Sequence, residues 1–227
     1  MKRIVFAILL FLSSIPVVAQ YDAECYTRNK ESIKEEIKKL SNAVLFDSVY
    51  IADTFLIDGV KRYVDSLVAV RKGVDITDMV NRVVGCKMPD FSFFNINKEE
   101  LSVYKIQSDF TILTFGSVSY GDVSNARLHQ FSKLKALMKD SLEVINIYED
   151  VDEKVIEYMK YFENNVEYVA NADLLIYNYT FGNGPITYVL DKYKNIIYIK
   201  SGHQYRYTPD EIYSEILDKI RATNCSD

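Results

Sequence analysis

An α/β domain built on a mixed sheet is predicted by three features of the sequence. From Gly85 onward, runs rich in β-branched and aromatic residues alternate with segments of helical spacing, a pattern that needs helices on both faces of a sheet. One of those runs, 110–115, is apolar enough for a central strand, which is buried on both sides. Two later runs, 186–190 and 195–199, are joined only by Asp191-Lys-Tyr-Lys194, so that pair is antiparallel.

Each element has its own signature. Residues 31–44 carry Ile33, Ile37, Leu40 and Val44 on one stripe opposite a Glu/Lys face, which predicts a helix. A second helix is expected over 59–70, with Val60, Tyr63, Val64 and Leu67 inward, and a short third over 77–84 capped by Thr77. Phe91 and Phe93 alternate with polar neighbours as in an edge strand. Helical spacing covers 123–138 through Leu128, Phe131, Leu134 and Leu137. Residues 142–148 read as a strand, 151–162 as a helix and 174–177 as a short strand. The last helix begins at Thr208, with Pro209 at its first position and Glu211 three past the cap, and buries Ile212, Ile216, Leu217 and Ile220. The expected order is β-β-α-β-α-β-β-α after a helical N-terminal appendage.

The first twenty residues differ in kind. Lys2 and Arg3 precede an apolar run over 4–12, and Val17-Val18-Ala19 closes the segment with small residues. That is the pattern of a secretory signal peptide, and the run is too short to span a bilayer. A buried N-terminal strand is the alternative. The expected divisions are 1–19 signal peptide, 20–82 helical appendage and 83–222 the α/β domain, giving an exported protein, periplasmic or extracellular, that is not an integral membrane protein.

The chain carries a formal net charge of −5, and losing Lys2 and Arg3 makes it more acidic. With no basic stripe, nucleic acid is an improbable partner on electrostatic grounds. Three cysteines are present: Cys25, Cys86 and Cys225. Chain ends of compact domains often lie close together, so a Cys25–Cys225 bridge is one reading. Separate thiols, or partners in an oligomer, are the other. No pair has C-x-x-C spacing.

Gly85-Cys-Lys-Met-Pro-Asp-Phe91 resembles the G-x-x-x-P-D-F opening of periplasmic thioredoxin-like and peroxiredoxin-like proteins. Residues 110–115 resemble the strand that delivers their catalytic loop. Gly184-Pro185-Ile186-Thr187-Tyr188-Val189-Leu190-Asp191 is similar to the segment whose proline is cis in that group. A narrower likeness joins Phe115-Gly116-Ser117-Val118-Ser119-Tyr120, with Arg127-Leu128, Phe131, Leu134 and 144–149, to iodothyronine-deiodinase-like proteins. These resemblances imply a thioredoxin-like mixed sheet flanked by helices over 83–221, with Pro185 facing the loop at 116–122.

In the thioredoxin register Ser119 and Asp122 stand at the two cysteine positions; in the deiodinase-like register Tyr120 stands at the nucleophile and Val118 at the upstream cysteine. Disulfide exchange needs a thiolate to attack and a second thiol to resolve. Ser119 oxygen forms no disulfide, and the Tyr120 phenol, with pKa ordinarily about 10, has no redox-competent sulfur. Asp122 reads as the N-cap of the following helix, or as a ligand-binding carboxylate. Cys86 precedes the first core strand and reads as a small buried residue, or as a one-cysteine redox site.

The functional expectation is an exported binding or scaffolding module without conventional thiol–disulfide catalysis, whose groove between 116–122 and Pro185 accepts an extended peptide or protein segment by main-chain hydrogen bonds. The alternative is an atypical oxidoreductase using Cys86 or partner thiols. A third, a non-redox enzyme at Ser119 and Asp122, has little in its favour. The two histidines, His129 and His203, form no local ligand cluster, so neither a metal nor a cofactor is expected, and the sequence leaves the oligomeric state open. Twelve of the 18 tyrosines fall from Tyr148 onward. They serve either as half-buried sheet residues or as an exposed binding surface, for which Tyr205 and Tyr207 are the best pair.

Overall fold

The computed structural model describes residues 24–39, 46–51, 54–57, 60–63, 67–71, 77–120, 122–161, 165–181, 185–201 and 209–224. Helix α1 covers 24–39. Strands β1 (Phe46–Ile51), β2 (Thr54–Ile57), β3 (Val60–Tyr63) and β4 (Leu67–Arg71) follow, then the short helix α2 (Thr77–Val80) with a 3-10 turn over Asn81–Val83. The remaining elements are β5 (Ser92–Phe94), β6 (Glu100–Ser102), β7 (Phe110–Gly116), α3 (Asp122–Met138), β8 (Leu142–Tyr148), α4 (Asp152–Met159) and β9 (Glu167–Val169). Helix α5 (Asp173–Tyr179), β10 (Ile186–Asp191), β11 (Ile196–Ser201) and α6 (Pro209–Asn224) complete the chain.

Five strands form the main sheet in the order β11-β10-β7-β8-β9. Strand β7 is central: it runs parallel to β8 and antiparallel to β10, so the sheet is mixed. Every residue of β7 is buried, as expected of a strand covered on both sides. Its side chains divide by the strand period of two. Leu113 and Phe115 join one core with Tyr26 and Ile33 of α1, Tyr179 of α5 and Tyr188. Ile112 joins the other with Leu128, Phe131 and Leu134 of α3, Val155 of α4, and Ile212, Ile216 and Ile220 of α6. The helix spacings read from the sequence put those residues on single stripes, and burying the stripes fixes the two helical layers.

Several expectations are corrected. The described part of 59–70 is not helical: β3 and β4 occupy it. Val60, Tyr63, Val68 and Val70 are strand formers, and Asp58-Gly59, a favoured hairpin dipeptide, separates β2 from β3, where Ile57 pairs with Val60. Strand β4 pairs instead with β1. The stretch 174–177 is helical within α5, because a short apolar run fits either class and Asp173 in the first turn suits a helix dipole. Phe93 lies in β5, which pairs with β6 in its own ribbon rather than at an edge of the main sheet. Helix α1 starts before residue 31 and is packed into the main core, with Tyr26 and Ile33 2% and 0% exposed. Leu40, Val44, Thr208 and the segment 1–19 lie outside the described residues.

The cysteine pairing is also corrected. Cys25 is bonded to Cys86, with their Cα atoms 5.6 Å apart, so it is not joined to Cys225, which lies outside the described residues. The physical reason is the seat of α1. Its first turn rests on the segment before β5, where Asn29 Nδ2 donates to the Arg82 carbonyl at 2.9 Å and contacts Cys86 Sγ at 3.5 Å. Gly85 turns that segment with φ of 88°, a conformation natural to glycine.

Candidate functional site: the loop at the carboxyl end of β7

Ligands of open α/β sheets gather at the carboxyl ends of parallel strands, where the chain leaves the sheet. Here those ends are Gly116 of β7 and Tyr148 of β8, paired in register. The chain leaves β7 through Ser117 and a 3-10 turn over Val118–Tyr120 before α3 begins at Asp122. It leaves β8 through Glu149 and Asp150. The two exits are tied together: the Glu149 N–H donates to the Gly116 carbonyl at 3.2 Å, and the Val118 N–H donates to Asp150 Oδ2 at 2.7 Å.

Asp150 holds the loop in place. Its side chain is only 7% exposed, and its other oxygen, Oδ1, accepts from Lys154 Nζ at 2.5 Å. Burial alone would push this carboxyl up. The Lys154 ammonium, the Val118 N–H and the Ser117 hydroxyl outweigh it, and the net shift is downward, so Asp150 is ionised at neutral pH. Ser117 in turn accepts from the Ser119 N–H at 3.1 Å, and the two serine hydroxyls are hydrogen bonded to each other. The loop is therefore preorganised by a carboxylate and a serine that are themselves hydrogen bonded, Asp150 to Val118 and Lys154 and Ser117 to Ser119.

The residues singled out in the sequence fall as follows. Ser119 is exposed at the loop surface, with Ser117 as its hydroxyl partner. A serine nucleophile needs a general base within hydrogen-bond reach. No such base is bonded to Ser119 among the described residues, and His129 faces solvent on α3. Tyr120 closes the 3-10 turn and Asp122 is the first residue of α3; their backbones are placed and their side chains lie outside the description. Pro185 is buried just before β10 and lines a common cavity with Gly116 and Ser117, so it does face the loop. Among the described residues no peptide bond is cis; Gly184, which precedes Pro185, is outside them. Tyr205, Tyr207 and His203 are likewise outside.

Cys86 is elsewhere. Its carbonyl accepts from the Ile196 N–H at 2.9 Å, and Ile196 stands opposite Leu190, which stands opposite Thr111 near the start of β7. Five residues of β7 separate that level from Gly116, about 17 Å at the usual rise of an extended strand. The disulfide and the loop thus occupy opposite ends of the central strand.

Sequence reading missed the residues that build the site. Asp150 carried a usable signal, since it directly follows a strand whose carboxyl end is a functional edge. Arg127 carried another: it is a lone charge next to Leu128 on the apolar stripe of α3. It is 3% exposed, and its Nη1 donates to Thr187 Oγ1 of β10 at 3.2 Å. Around it stand the tyrosines Tyr148, Tyr158 and Tyr198. Burial holds the Arg127 guanidinium down at about 10, above neutral pH all the same. Burial pushes the Tyr148 phenol well up and the Tyr158 phenol up to about 12, so both stay neutral. Among the described residues no three His, Cys, Asp or Glu side chains come together as a metal site, and no helix is long and apolar enough to cross a membrane.

No family model matches the chain, and no curated protein matches it. Solved structures do. A peroxidoxin, BcpB, from Mycobacterium tuberculosis superposes with a TM-score of 0.52 at 14% identity, over 61% of this chain and 96% of that one. A protein described as a thiol:disulfide interchange protein DsbE, from Chlorobium tepidum, superposes with a TM-score of 0.51 at 13% identity, again over 61% and 96%. At such identities the likeness is one of fold. The mixed five-stranded sheet with helices on both faces is a thioredoxin-like α/β fold.

Proposed function

We propose that this protein is an exported thioredoxin-like module that uses the loop at the carboxyl end of β7 for binding rather than for thiol–disulfide exchange. The observation that carries the reading is the chemistry of the loop: Ser119 sits where the thioredoxin register calls for the attacking thiol, its hydroxyl is bonded to Ser117, and the two described cysteines are bonded to each other at the far end of β7. The register itself rests on the sequence resemblance. An oxygen in place of sulfur ends the exchange reaction, because no mixed disulfide can form.

Binding remains available to the same scaffold. The loop is braced by Asp150, it is partly exposed at Ser119, and it lies beside Pro185, so an extended segment can be read by main-chain hydrogen bonds. Export is supported by the basic, apolar and small-residue sequence of 1–19 and by a disulfide in the folded domain, which persists in oxidising compartments. The alternative, an oxidoreductase working through Cys86, would have to open the Cys25–Cys86 bond, whose Cys86 end is 2% exposed.

The test is an array of unstructured peptides probed with the mature protein and with a variant carrying Gly at Ser117, Val118 and Ser119 and Ala at Pro185. The reading expects a peptide profile that the variant loses while keeping its far-ultraviolet circular dichroism. An unchanged profile contradicts it.

A further inference from the structure

Beneath the loop lies a cavity of about 10 Å³ lined by Thr114, Gly116, Ser117, Arg127, Asn146 and Pro185, among others. That is room for one body the size of a water molecule. Two of its polar lining groups are buried with bonding capacity unused: Arg127 Nε and Thr114 Oγ1 have no hydrogen-bond partner among the described residues. A guanidinium has five N–H donors, and among the described residues Arg127 uses one, on the neutral hydroxyl of Thr187.

No carboxylate forms an ion pair with Arg127 among the described residues. Those that brace the neighbourhood are committed elsewhere: Asp150 to Val118 and Lys154, Glu167 to Asn95. The phenols of Tyr148 and Tyr158, which face Arg127, are kept protonated by burial. A buried cation without a counter-charge is strongly unfavourable, and a buried donor without an acceptor adds to the cost. Both penalties fall on one point, and the lining there offers uncommitted donors: the Arg127 guanidinium and the Thr114 hydroxyl.

We infer that this cavity is a binding site for a single small anion of halide size, held by the Arg127 guanidinium and the Thr114 hydroxyl beneath the loop that joins β7 to α3. Size sets the selectivity. A chloride ion fits where sulfate, acetate or a peptide carboxylate does not. Occupancy places a negative charge under Gly116 and Ser117 and so couples the anion to the loop. The inference rests on the burial and bonding of Arg127 and stands whether or not the loop takes peptide.

The experiment uses the mature full chain. Unfolding is followed in sodium chloride and in sodium gluconate at equal ionic strength, and crystals grown without halide are soaked in sodium bromide for anomalous diffraction. Bromide density within hydrogen-bond distance of Arg127 is expected. Chloride should raise the folding equilibrium constant by the factor one plus its concentration over its dissociation constant, about tenfold when present at about ten times that constant. Arg127→Met should abolish the chloride effect, and Thr114→Val should weaken it severalfold; the second variant serves if the first does not fold. Water alone beside Arg127 in the bromide crystal, or a chloride effect that is absent in the wild type or unchanged in Thr114→Val, overturns the assignment.

Discussion

Asp150 is the residue on which the geometry of the loop turns. Its folded-state pKa is depressed, so its contribution to stability is complete above the ordinary carboxylate value, about 3.9, and is lost as pH falls through the lower folded value. Stability measured by urea unfolding should therefore decline below about pH 4 partly through this one group. Asp150→Asn should lower stability at pH 7 by about 1.5–3 kcal/mol, the worth of a hydrogen bond to a charged acceptor, and should flatten that decline. An acid limb identical to the wild type would contradict the role. Lys154 is half exposed and adds little as an ion pair, so Lys154→Ala should cost less than Asp150→Asn. At this scale the sequence was partly legible. Ser119 and Pro185 stand at motif positions, whereas Asp150 and Arg127, though each carries a local signal, act through contacts across the sheet that the signal does not name.

Helix α1 shows what an element's apolar stripe can and cannot tell. Ile33 was expected inward and is fully buried, but the core it joins includes Tyr188 and Tyr179, more than a hundred residues away, which could not be read from the stripe. Ile33→Ala should cost about 2–5 kcal/mol in chemical denaturation, the usual loss for truncating a packed core side chain. Leu137 was expected on the same kind of stripe on α3 yet is 67% exposed, while Met138 beside it packs against the core. Leu137→Ala should stay within about 0.5 kcal/mol of the wild type. The stretch from Phe46 to Arg71 escaped the reading for a different reason. Val60, Tyr63, Val64 and Leu67 satisfy a helical spacing as well as a strand composition, so periodicity alone does not separate the two.

Across the whole molecule, the Cys25–Cys86 bond ties α1 to the segment before β5 over a sequence separation of 61. A non-reducing peptide map should yield one cross-linked peptide containing Cys25 and Cys86; a Cys25–Cys225 peptide would contradict the pairing. Cys86→Ser should lower stability by about 2–5 kcal/mol without altering binding at the loop, since the two sites stand at opposite ends of β7. The general architecture was legible because alternating strands and amphipathic helices leave few ways to bury every apolar face. The disulfide was not, because chain-end proximity was the only argument available for pairing and α1 folds back before the end of the chain matters. The account rests on the absence of exchange chemistry at the loop, and turnover of a dithiothreitol-driven insulin reduction assay by the mature protein tests it most directly. The account predicts a rate equal to the protein-free control for the wild type and for Cys86→Ser; turnover in the wild type that Cys86→Ser abolishes would contradict it.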